Sequence, residues 1–163
     1  MVLQTLKDGV YPSYSWDVNP PPFTYLQTNH KDNNLKQTIF MEKYPIFTIE
    51  IPKDESKYTN TDEIITYLKE QIAAHPVAAY IGEFDHYAHT TELGGEINPA
   101  ITTAKMVIFC FGQKLPRPEM MAPRPRSIGV CDMGENFVIT FLEAPMYAIN
   151  ETMEGWVKQI QKD

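Results

Sequence analysis

The sequence predicts an α+β fold: an antiparallel sheet with helices on one face, in the order β-α-β-β-β-β-α, preceded by an irregular aromatic and Pro-rich N-terminal arm. Three observations lead there. Segments of period two alternate with only two amphipathic helical patterns, one after the first strand and one closing the chain. Four strand patterns lie between those helices with no helix long enough to make parallel crossovers. The opening stretch shows neither period. At 163 residues and 18.7 kDa the chain suits one domain, here residues 38–163, with the arm over 1–37.

Within the arm, Pro12, Pro20, Pro21 and Pro22 forbid a regular helix, while Tyr11, Tyr14, Trp16, Phe23 and Tyr25 supply aromatic mass. The polar run Asn29–Asn34 reads as a turn or linker. Such an arm packs on its own domain as a strap, or on a partner subunit, since five exposed aromatic residues would invite aggregation.

Phe47, Ile49 and Ile51 then alternate with Thr48 and Glu50, the pattern of a strand with one buried face, bounded by Pro45 and Pro52. Asn60 or Thr61 caps a helix whose stripe is Ile64, Ile65, Leu68 and Ile72, with Asp62 and Glu63 favoured by the helix dipole. Pro76 ends it, and His75 reads as a last-turn residue rather than a ligand. Residues 78–85 form a second strand, and 97–105 a short helix or turn. The unbroken apolar run 106–111 has the pattern of a strand covered on both faces. Prolines 116, 118, 123 and 125 make the next stretch an extended loop. Strands over 127–131 and 136–142 flank a hairpin turn with Gly134 available for a positive φ. In the closing helix Met146, Ile149, Met153, Trp156 and Ile160 recur at core spacing.

Charge and cysteine usage exclude several classes of function. Fourteen basic against twenty-one acidic residues give −7, which opposes phosphate-backbone binding and docking on anionic lipid, so neither a nucleic acid nor a membrane is an expected partner. No apolar run approaches the ~20 residues of a membrane helix, and the start lacks the basic and apolar regions of a secretory signal. A cytoplasmic protein is expected, with Cys110 and Cys131 as reduced core thiols.

Several motifs carry a resemblance. Phe84-Asp85-His86 at a strand end resembles the Asp-His closing the second strand in domain-of-unknown-function family three hundred and two. Residues 108–113 resemble that family's apolar strand and turn, with Gln113-Lys114 where the family has Asn-Pro. Met120-Met121 resembles its Leu-Met, and the hairpin from Ile128 to Phe141 its closing strands. The likeness spans Thr38 to Lys162 and implies a TATA-binding-protein-like α+β fold, with no established activity and no transfer of DNA binding.

One cluster carries chemical potential. Residues 83–92 hold His86 and His89 among the carboxylates Glu83, Asp85 and Glu92. If the chain turns helical after Asp85, both imidazoles share one face and are candidate ligands for a transition metal ion, with Glu92 or Asp85 as an oxygen ligand or an orienting partner. If the strand continues, they point to opposite faces. Without metal, Asp85 holds His86 in one tautomer for acid–base work or ligand binding, or simply caps the next turn. Arg124 and Arg126 in the Pro-rich loop are candidate ligand-binding residues through their bidentate recognition of anions. The preferred expectation is a small homodimeric binding or interaction protein with a ligand site of Asp85, His86, His89, Arg124 and Arg126. The alternative is a metal-dependent or acid–base enzyme using the same cluster.

Overall fold

The computed structural model describes residues 34–163, so the expected arm lies outside the described residues up to position 33. Six strands form one sheet in the order β1-β2-β6-β5-β4-β3, every neighbouring pair antiparallel. They are β1 (Lys36–Phe40), β2 (Tyr44–Pro52), β3 (Ala78–Asp85), β4 (Thr103–Phe111), β5 (Arg126–Asp132) and β6 (Asn136–Leu142). Alternation aligns one face across the sheet: Ile49 lies opposite Ile139, Ile139 opposite Val130, and Val107 opposite Ile128. Phe47 and Phe141 stack in register, centroids 4.9 Å apart.

Two helices bury their stripes on that face. Helix α1 (Thr61–Ala74) starts at a reciprocal cap: Asn60 Oδ1 accepts the Glu63 N–H at 2.9 Å, and the Glu63 carboxylate accepts the Thr59 N–H at 2.7 Å. Ile64, Ile65, Leu68 and Ile72 are all buried, as their spacing predicts. His75 caps the C-terminus of α1, its Nδ1 accepting the Val77 N–H at 3.3 Å. Helix α3 (Tyr147–Lys158) lacks a side-chain cap at Met146. Buried Asn150 secures its entry instead, accepting the Ala144 N–H at 2.7 Å and donating to the Ala144 carbonyl at 3.1 Å. Met153, Trp156, Val157 and Ile160 fill the core, with Trp156 stacked on Phe111 and edge-on to Phe109. The Tyr67 hydroxyl donates to the Trp156 carbonyl at 2.9 Å and so joins the two helices.

The sequence expectation for the class and for the helix-strand order from β2 onward holds, with four local differences. Strand β1 is an additional element, paired to β2 through a tight turn in which Met41 and Glu42 take φ of 51° and 61°. Those conformations favour Gly and Asn, and this turn has neither, so nothing in its residue types signals a hairpin. A short helix α2 (His86–Glu92) follows β3 directly. Residues 97–102 take the turn alternative, with Asn98 Oδ1 accepting the Ala100 N–H at 3.0 Å, but β4 begins at Thr103, inside the segment expected as helix or turn. Met146 is 43% exposed, outside the buried stripe of α3, because it precedes the first helical turn.

The expectation that residues 106–111 are covered on both faces is corrected. Val107, Phe109 and Phe111 are buried under the helices, whereas Met106, Ile108 and Cys110 remain half-buried on the opposite face. Ile46, Val138 and Cys131 share that second face and are half-buried as well. The thiols therefore belong to the second face and not to the core. Both are free, and burial pushes the Cys131 thiol up.

Candidate functional site

Strand β3 ends at Asp85 because that residue caps the next helix: its Oδ1 accepts the Ala88 N–H at 2.8 Å. Its other oxygen lies 3.6 Å from the Lys105 ammonium, which donates at 2.6 Å to Asp62 in the first turn of α1. The Asp62 hydrogen bond leads in holding the Lys105 pKa above its ordinary value, against the opposing effect of burial. Asp85, Lys105 and Asp62 thus fasten the end of β3 to β4 and to the N-terminus of α1.

The helical alternative of the sequence analysis is the one the structure adopts. His86 and His89, three positions apart on α2, both pack on Phe84, with ring centroids 4.7 Å and 5.2 Å away. Phe84 faces Met106 on the second side of the sheet, whereas Asp85, one residue on, faces Lys105 on the helix side. The capping carboxylate and the two imidazoles therefore diverge from one backbone corner. Among the described residues no three His, Cys, Asp or Glu side chains converge as a metal set, so His86 and His89 are brought together without Glu92 completing a three-donor site.

The arginines stand elsewhere. Arg126 begins β5 opposite Phe109, while Asp85 ends β3 opposite Lys105. Four residues of β4, ~13 Å, separate those two levels of the sheet. Arg126 is 7% exposed and donates to the carbonyls of Leu142 and Pro123, and its buried Nε has no hydrogen-bond partner among the described residues. Burial lowers its pKa. Arg126 stands in β5 rather than in the Pro-rich loop where the sequence placed it, and alternation from Ile128 and Val130 turns it toward the covered face. Arg124 is half-buried and donates to the Lys114 carbonyl at 2.9 Å, bridging the two ends of the Pro-rich loop. Neither guanidinium joins His86 and His89. A shallow depression beside α1, lined by residues such as Tyr58, Asp62 and Glu70, contains none of the expected site residues.

Two residues of this corner were not among the site residues expected from the sequence. Phe84 is 38% exposed against the imidazoles, and Ile81 is 56% exposed where the pairing of β3 with β4 shifts register between Tyr80 and Gly82. Alternation back from the Asp-His corner would have placed Phe84 opposite Asp85. Gly82 inside a strand pattern is the sequence mark of a bulge.

A family model described as a family of unknown function, DUF6858, matches residues 35–162. No curated protein matches, and no solved structure does either. The expected family is met at the coarser level of a domain of unknown function; the match is not to family three hundred and two and adds nothing to the TATA-binding-protein likeness. No helix among the described residues is long and apolar enough to cross a membrane.

Proposed function

We propose, from the premise that the chain belongs to DUF6858, that it is a binding protein that pairs with a second copy of itself through the corner where β3 meets α2. The observation supporting this is Phe84, packed on two imidazoles with 38% of its surface exposed, on the same strand as the exposed Ile81. An aromatic side chain fixed by its neighbours contributes apolar area with little entropy left to lose, the property of interface anchors. The same patch on two copies makes a two-fold contact without any further component. The register shift at Ile81 interrupts the regular ladder of the edge strand, which favours contact through side chains over addition of another strand.

Sedimentation velocity at micromolar concentration tests the reading. The intact chain is expected to sediment as a dimer and Phe84→Lys as a monomer, because a buried, unpaired ammonium opposes the contact. An intact chain sedimenting at 18.7 kDa, or a Phe84→Lys dimer as tight as the parent, would overturn it.

A further inference from the structure

The second face of the sheet is apolar at its centre. Ile46, Met106, Ile108, Cys110 and Val138 lie on it half-buried, outside the core that α1 and α3 complete. Among the strand positions on this face, only Lys36 and Glu50 carry charge. Helix α2 lies against the Phe84 corner, at the rim. A half-covered apolar face of this width needs an occupant.

The chain itself holds one of matching chemistry. Thirty-three residues precede Asn34 and join the sheet at its β1 edge, where Lys36, Thr38 and Phe40 alternate onto this same face. Between Tyr11 and Tyr25 they carry five aromatic residues and four prolines, with Asp17 the sole charge. That composition suits an extended segment lying on a neutral apolar surface. Reach is sufficient. Six strands spaced ~4.8 Å make a face ~24 Å wide, while the nine residues from Tyr25 to Asn34 extend up to ~30 Å. Residues 11–25 in a polyproline-like conformation add ~45 Å, enough to cross every strand.

We infer that residues 11–25 of the same chain lie across the second face of the sheet and cover Ile46, Met106, Ile108 and Val138. Phe84 adjoins this footprint at the β3 edge, where it pairs with Met106, so the inference and the pairing proposed above are told apart by experiment.

The only two cysteines of the chain report on the cover, because both lie on this face, Cys131 between its centre and one end and Cys110 toward the other. In the full chain, alkylation of both thiols by iodoacetamide is expected to be slow and independent of protein concentration. In the full-length variant carrying Tyr14→Ser, Trp16→Ser and Phe23→Ser it is expected to rise by about tenfold or more at one pH. Val138→Lys provides a second measurement that leaves the arm intact: the Trp16 fluorescence should become accessible to acrylamide while the core Trp156 does not. Equal alkylation rates in parent and arm variant, with Trp16 already quenched in the parent, would overturn the inference. Protection that fades on dilution as a dimer dissociates would also overturn it, by assigning the face to a second copy. Repeating the alkylation in Phe84→Lys separates the two proposals, because the arm should protect the thiols in a monomer equally well.

Discussion

Phe109 and Ile108 are adjacent on β4, yet Phe109 is fully buried against Phe111 and Trp156 while Ile108 is half-buried on the opposite face. The two faces are built from the same strands and similar residue types. They differ in what the described residues lay over them: α1 and α3 seal one with interlocking aromatic and branched side chains, and among the described residues no helix of that length covers the other. A sheet face is therefore made core by its cover, because apolar area stabilises only when removed from water. The Asp85 corner joins both environments, sending its carboxylate to Lys105 on the helix side and its aromatic neighbour Phe84 to the other.

The largest effect expected from breaking this asymmetry is at the helix-covered face. Trp156→Ala removes the ring that meets Phe111, Phe109 and His75 and should cost about 3–5 kcal/mol in denaturant unfolding. A loss of a few tenths would mean that α3 adheres only loosely and that the two faces are less different than their burial implies.

A smaller effect comes from the joint between the two helices. Burial, followed by the neighbouring Tyr58, pushes the Tyr67 hydroxyl up to about 12 from an ordinary value of 10.0. A raised folded pKa means that folding favours the protonated phenol, so this contribution is complete below pH 10 and is lost as pH rises toward about 12. Unfolding followed across that window should show the loss, and Tyr67→Phe should abolish that pH-dependent step. A Tyr67→Phe protein with an unchanged alkaline profile would assign it to another group.

The smallest effect is expected at the corner. His89→Ala removes an exposed ring that touches Phe84 and should change stability by no more than about 0.5 kcal/mol. A severe loss in a thermal melt would make His89 part of the scaffold and remove it from the candidate contact surface.

Much of this architecture is legible in the residues themselves. The Ile64, Ile65, Leu68 and Ile72 stripe, the Asn60 cap and the alternation of Phe47, Ile49 and Ile51 each encode a local structure through spacing alone, and every one of these apolar residues is buried. The Asp85 cap belongs to the same class, since a carboxylate before a helical turn needs only its own backbone neighbours. Long-range partners decided the rest. β1 closes on β2 through Met41 and Glu42 in left-handed conformations that these residue types do not announce. Arg126 enters the covered face because strand parity, inherited from Ile128 and Val130, places it there, whatever the charge of its side chain. The meeting of Phe84 with His86 and His89 depends on β3 stopping at Asp85 and α2 beginning at His86. Periodicity determines which residues of a strand share a face, but which of the two faces becomes core is settled only when the helices pack, because burial is a property of two surfaces and the pattern on one strand describes only one of them.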